Sequence, residues 1–146
     1  MADTFTIEKT ELPALVEGVL ARALHLQTPG ARVIALHGDL GAGKTTFTQV
    51  LGAHLGITEP VTSPTFTIMK GYELPGAHFS TLIHMDAYRI DDLNELGPLR
   101  FAELLADPQI LLVIEWAERI VGALPEQLIN VSLTGAGEER RTVVIS

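Results

Sequence analysis

Three features of the 146-residue chain predict a single-domain α/β fold with a mixed, mostly parallel sheet flanked by helices. In the first, the apolar run Arg32-Val33-Ile34-Ala35-Leu36-His37 leads straight into the glycine-rich segment Gly38-Asp39-Leu40-Gly41-Ala42-Gly43-Lys44-Thr45. Phe47, Val50, Leu51 and Leu55 then recur at helical spacing, so the order is strand, loop, helix. In the second, Ile110-Leu111-Leu112-Val113-Ile114 is continuously apolar, the pattern of a strand covered on both faces. In the third, two β-rich stretches, residues 62–72 and 79–85, are joined by Leu74-Pro75-Gly76, a turn that predicts a hairpin and makes the sheet mixed.

The remaining elements follow in chain order. Residues 4–8 alternate polar and apolar as a short strand. Thr10 is placed to cap a helix with Pro13 in its first turn, and Leu12, Leu15, Val16, Val19, Leu20 and Ala23 form its apolar face. Two short helical pieces fill residues 91–106, and a helical turn starts at Trp116. Residues 127–133 and 140–145 flank Gly135-Ala136-Gly137 as a terminal hairpin. With neither repeat nor linker, residues 1–146 are read as one domain, and 47% hydrophobic content is enough to support a core.

Composition narrows the function. The longest apolar run is far short of the roughly 20 residues a membrane-spanning helix needs. The start of the chain has neither a basic segment nor an apolar signal core, so a cytosolic protein is expected. There is no cysteine, which removes thiolate chemistry, disulfides and zinc ribbons. Eighteen acidic against ten basic side chains give a formal charge of −8, so no autonomous grip on nucleic acid and no membrane association are expected.

The glycine segment carries the chemistry. A nucleoside triphosphate needs several donors aimed at one anionic cluster, and backbone amides supply them only where side chains do not obstruct the approach. Gly38, Gly41 and Gly43 allow that approach, and the helix that follows adds the positive end of its dipole. Lys44 reaches the terminal phosphates and the Thr45 hydroxyl is placed for Mg²⁺, which is the P-loop pattern of a nucleotide-binding ATPase. Two acids compete for the metal and the water. Asp86 ends the stretch Thr81-Leu82-Ile83-His84-Met85 and Glu115 ends the apolar run 110–114. If both strands run parallel to the one before the glycine loop, both acids reach the same sheet edge. Glutamate is longer than the usual aspartate, so residue type alone leaves the choice open. His84 is read as a packed, hydrogen-bonded strand residue rather than a metal ligand. Ser63-Pro64-Thr65-Phe66-Thr67 reads by composition as plain strand, but its place between the P-loop helix and the Asp86 strand resembles a switch segment, in which Thr65 would sense a terminal phosphate.

Together these segments resemble the TsaE (YjeE) family of small bacterial P-loop ATPases of tRNA threonylcarbamoyladenosine biosynthesis. The resemblance rests on Gly38 to Thr46, on Thr62-Ser63-Pro64-Thr65-Phe66-Thr67, on His84-Met85-Asp86-Ala87-Tyr88-Arg89 and on Val113-Ile114-Glu115-Trp116. It implies a single-domain P-loop NTPase fold and a subunit that binds ATP with Mg²⁺, hydrolyses it slowly, and drives or resets a tRNA-modifying complex with the TsaD and TsaB proteins. By this resemblance the nucleotide is held by Gly38, Asp39, Leu40, Gly41, Ala42, Gly43, Lys44, Thr45 and Thr46, with Trp116 beside them. It makes Thr45 and Glu115 the Mg²⁺ ligands and Asp86 and Thr65 switch or catalytic groups working with Lys44. A C-terminal contact through Arg140 or Arg141 stays open.

Two other functions fit the cradle. A small-molecule kinase would need an arginine-rich lid, and the only adjacent arginines are Arg140 and Arg141. A nucleotide-gated docking module without turnover would use the same cradle and ligands as a slow ATPase.

Overall fold

The computed structural model describes residues 2–38, 43–62, 64, 68–76, 78–135 and 139–146. Of the residues singled out above, Asp39, Leu40, Gly41, Ala42, Ser63, Thr65, Phe66, Thr67, Ala136 and Gly137 lie outside them.

Among the described residues, seven strands form one sheet: β1 (Asp3–Glu8), β2 (Arg32–His37), β3 (Met69–Glu73), β4 (Thr81–Asp86), β5 (Ile110–Glu115), β6 (Ile129–Gly135) and β7 (Arg140–Ile145). Their spatial order is β1-β7-β6-β2-β5-β4-β3. The four central strands β6, β2, β5 and β4 are parallel. Antiparallel partners extend this core on both sides: β3 pairs with β4, β7 with β6, and β1 with β7. Both predicted hairpins are therefore present, and the mixed sheet arises because short turns can join only antiparallel neighbours.

Of the central strands, β2 and β5 are buried on both faces, which explains their unbroken apolar runs. One face is covered by α1 (Leu12–Leu24) and α2 (Lys44–His54), where Val16, Val19, Phe47 and Leu51 pack on Ile34, Leu36 and Val113. The other face carries α3 (Phe101–Leu105) and 3-10 segments at Leu93–Leu96 and Ala117–Ala123. There Phe101, Leu96 and Ile120 pack on Val33, Ala35 and Ile114. Fully burying Phe47 or Leu51 contributes about 1.5–3 kcal/mol each. No described helix is long and apolar enough to cross a membrane.

One local expectation is corrected. Thr10 does not cap α1. A 3-10 turn, Lys9–Glu11, precedes the helix, and the Glu8 amide donates to Glu11 Oε1 at 2.9 Å in a capping box that closes this turn. Glu11 stands at the N-cap of α1 ahead of Pro13 but makes no side-chain cap bond to that helix. Of the β-rich stretch 62–72, the described part forms β3 from Met69, and the Thr62 amide donates to the Tyr72 hydroxyl at 3.2 Å.

Gly30 sets the spacing between the start of β2 and the end of α3, since a Cβ there would lie 2.1 Å from the Leu105 carbonyl oxygen. Gly18, exposed in the middle of α1, has nothing within 4 Å of the same position. The two glycines should respond oppositely to alanine in urea unfolding. Gly18→Ala is expected to add about 0.5–1 kcal/mol by restoring helix propensity, and Gly30→Ala to cost about 1–3 kcal/mol by overpacking. Equal shifts for the two would contradict this packing.

Candidate functional site at the carboxyl edge of the parallel strands

Parallel pairing aligns the carboxyl ends of β2, β5 and β4. Leu36 is level with Glu115, and Glu115 with Asp86, so the chain leaves β2 at Gly38 beside both acids. Such an edge, where parallel strands end and loops turn back to helices, is where ligands bind in open α/β sheets. The condition attached to the two acids in the sequence is thus met.

Gly43 opens α2 with φ +103°, a conformation L side chains rarely adopt, and Lys44 is the first helical residue. The Lys44 ammonium turns back toward the end of β2 and donates to the Gly38 carbonyl at 2.7 Å. It also lies 4.6 Å from the centre of the Trp116 ring, within cation–π range. These contacts hold a lysine that is only 7% exposed. Thr45 is half-buried in the first turn of α2, and Thr46 is exposed beside it. The Thr48 hydroxyl is spent inside the helix, donating to the Lys44 carbonyl at 3.2 Å.

Glu115 is buried, and His84 Nε2 meets its Oε2 at 2.7 Å. A carboxylate only accepts, so Nε2 carries the proton of this bond. His84 is thereby a packed, hydrogen-bonded residue, as its place on an apolar strand suggested. Asp86 is half-buried, and its Oδ1 accepts from the Tyr88 amide at 2.9 Å. That bond folds the turn after β4 and leaves the carboxylate at the edge.

Trp116 follows Glu115 with φ +60°, a left-handed conformation that costs a non-glycine residue about 1–2 kcal/mol. The turn sends the indole toward Lys44, and Tyr88 packs against it with ring centres 5.1 Å apart. Arg119 lies 5.2 Å over the Tyr88 ring. Trp116, Tyr88 and Lys44 thus form one aromatic and cationic wall beside the acids.

On the other side of Gly43 lies a cavity of about 390 Å³ lined by Lys9, Thr10, Gly43, Thr46 and Arg141. Arg141 Nε would be 3.9 Å from a Cβ at Gly43. Of the two C-terminal arginines, this one faces the loop, whereas Arg140 lies 3.9 Å from Glu8. Lys9 and Thr10 were not recognised from sequence. Only the pairing of β1 with β7, which sets Ile7 level with Arg141, brings these distant segments to one wall.

The site and its frame belong to the class of single-domain mixed-sheet α/β proteins. The family model described as "Threonylcarbamoyl adenosine biosynthesis protein TsaE" matches residues 14–143. The chain is 42% identical over 117 residues to the tRNA threonylcarbamoyladenosine biosynthesis protein TsaE of Bacillus subtilis, covering 78% of this chain and 68% of that one. It is 35% identical over 144 residues to the protein of the same name from Streptomyces coelicolor, covering 87% and 95%. The crystal structure of Bacillus subtilis YdiB superposes with a TM-score of 0.69 at 31% identity, covering 99% of this chain and 86% of that one. The chain belongs to the TsaE family.

Because Gly43 holds a φ that an L side chain adopts only under strain, Gly43→Ala should lower stability by about 1–2 kcal/mol, read as a drop in the urea midpoint. An unchanged midpoint would show that the loop relaxes without the left-handed turn.

Proposed function

We propose that this chain binds ATP with Mg²⁺ at the glycine turn and hydrolyses it slowly, serving tRNA threonylcarbamoyladenosine biosynthesis as the ATP-driven subunit of a complex with TsaD and TsaB proteins. The observation that carries this reading is the buried Lys44 ammonium, bonded to the Gly38 carbonyl on the edge that also holds Glu115 and Asp86. A cation held at a helix N-terminus suits an anionic phosphate chain. Family membership and the names of the relatives support the pathway.

The residues present fit both groups. Among the described residues, no cluster of three or more His, Cys, Asp or Glu side chains is placed to hold a metal by itself. Mg²⁺ does not need one, because it takes few protein oxygens and completes its shell with water and phosphate. The hydroxyl of Thr45 and the carboxylate of Glu115 are the hard oxygen donors for it. When bound, the metal supplies charge neutralisation to the phosphates.

Lys44 exchanges its bond to the Gly38 carbonyl for the terminal phosphates and stabilises charge there. The amides at the start of α2 and the segment from Gly38 to Thr46 hold the phosphate chain. Asp86 orients the attacking water or senses its loss, and Thr65, outside the described residues, is the switch threonine. The cavity beyond Gly43 has the volume and the mixed apolar and cationic lining for the base and ribose, with Arg141 and Lys9 at its rim. The formal charge of −8 fits a protein that leaves tRNA to its partners.

The second reading, a nucleotide-gated docking module without required turnover, draws on the bond from the Tyr88 amide to Asp86. That bond ties Asp86 to a turn, as a sensor would be tied.

Lys44→Ala should weaken ATP binding by roughly ten- to a hundredfold, the loss of a charge-assisted contact. Asp86→Ala should keep ATP binding and lose roughly 10²–10⁴ in turnover. Both are measured by equilibrium binding and phosphate release, with and without TsaD and TsaB proteins. Unchanged binding by the Lys44 variant would remove the phosphate-site reading. Full tRNA modification over many cycles by a non-hydrolysing Asp86 variant would favour the gated module.

A further inference from the structure

Among the described residues, His84 is a buried titratable side chain in direct contact with Glu115 that has no task in the proposed function. It is completely buried on β4, between Leu82 and Asp86 on the same side of the strand. Its strand pairing sets it level with Val113, one step before Glu115 on the neighbouring strand. Since residues level in parallel strands share a face and side chains alternate, His84 and Glu115 project together onto the face packed by Phe47 and Leu51 of α2. An aliphatic residue would fill that position without polar cost. The imidazole is anchored by its single bond to Glu115, and Nδ1 has no hydrogen-bond partner among the described residues. Burying a polar ring is unfavourable unless a bond compensates, and here the compensation comes from Glu115.

Glutamate at the end of β5 brings a further difficulty. Its side chain has one more rotatable bond than aspartate, and the terminal torsion of a carboxylate is broad. Left alone, it would present either oxygen over a wide range of orientations. The 2.7 Å bond from Nε2 removes that freedom at Oε2.

We infer that His84 is a positioning residue that clamps Oε2 of Glu115 and so presents Oε1 to the Mg²⁺ of the bound nucleotide. This rests on the proposed role of Glu115 as a Mg²⁺ ligand. Partners that orient a ligand in this way are worth 10–100-fold in metal affinity. His84 is fully buried and spends its Nε2 on Glu115, so its effect appears in metal affinity before it appears in nucleotide affinity.

Trp116, the single tryptophan and the neighbour of Glu115, provides a reporter independent of turnover. Mg²⁺ is titrated into the full chain with saturating ATP, following Trp116 emission, and Mn²⁺ binding is followed in parallel by electron paramagnetic resonance. ATP affinity is also measured in EDTA. The proteins compared are wild type, Glu115→Gln, His84→Met and His84→Gln. Glutamine carries its amide nitrogen as many bonds from Cα as histidine carries Nε2, so it can restore the donor. His84→Met should raise the half-saturating metal concentration by roughly 10–100-fold with metal-free ATP affinity unchanged, and His84→Gln should return it close to the wild-type value. If Glu115→Gln weakens metal binding and His84→Met does not, the positioning role is overturned while the ligand role of Glu115 stands. If His84→Gln is as poor as His84→Met, the ring serves packing and the inference is likewise overturned. If Glu115→Gln leaves metal binding unchanged, the ligand reading fails and takes this inference with it. Should His84→Met not fold, His84→Asn, whose amide stops short of Glu115, takes its place in the same comparison.

Discussion

The parallel register of β2, β5 and β4 is the constraint on which the site depends. Because Leu36, Glu115 and Asp86 are level across three strands, one sheet edge receives the glycine loop, a buried carboxylate and a turn carboxylate together. A slip of one residue in any of these pairings would turn the affected side chains to the opposite face. The apolar residues of the central strands resist such a slip, since both faces are packed and neither tolerates exposure. Core packing and site geometry are therefore set by the same contacts.

That edge also carries local conformational cost, as does Arg100 ahead of α3. Gly43 and Trp116 both hold positive φ, one before the lysine and one after the glutamate, and they turn Lys44 and the indole toward each other. The glycine bears its conformation cheaply, whereas the tryptophan does not. The packing of Trp116 against Tyr88 and beneath the Lys44 ammonium offsets that cost. Local strain held in place by surrounding contacts is characteristic of sites rather than of scaffolding.

Much of this was legible in the residue pattern, and the parts that were not share a cause. The boundaries of β2 and the apolar run of β5 could be read directly because buried parallel strands leave uninterrupted apolar segments. Gly43, Lys44, Asp86 and Glu115 could be placed at one edge because each lies at a strand end or a helix start, positions that topology fixes once the strands are parallel. The bond between His84 and Glu115 could not be read, since it joins neighbouring strands across 31 positions of sequence. Neither could the meeting of Lys9 and Thr10 with Arg141, which requires the pairing of the first strand with the last.

The cavity beyond Gly43 draws its walls from two different parts of the sheet. Gly43 and Thr46 belong to the loop and helix attached to the parallel core, while Ile7, Lys9 and Arg141 stand on or beside the outermost antiparallel strands. Strands at a sheet margin open by local unfolding at lower free energy than central ones. A molecule filling this cavity would bridge the marginal strands to the core, so its binding energy would appear as slower opening of β1 and β7. The rim of the sheet would then carry a record of occupancy in its amide exchange, while the central strands, already protected, would hardly register it.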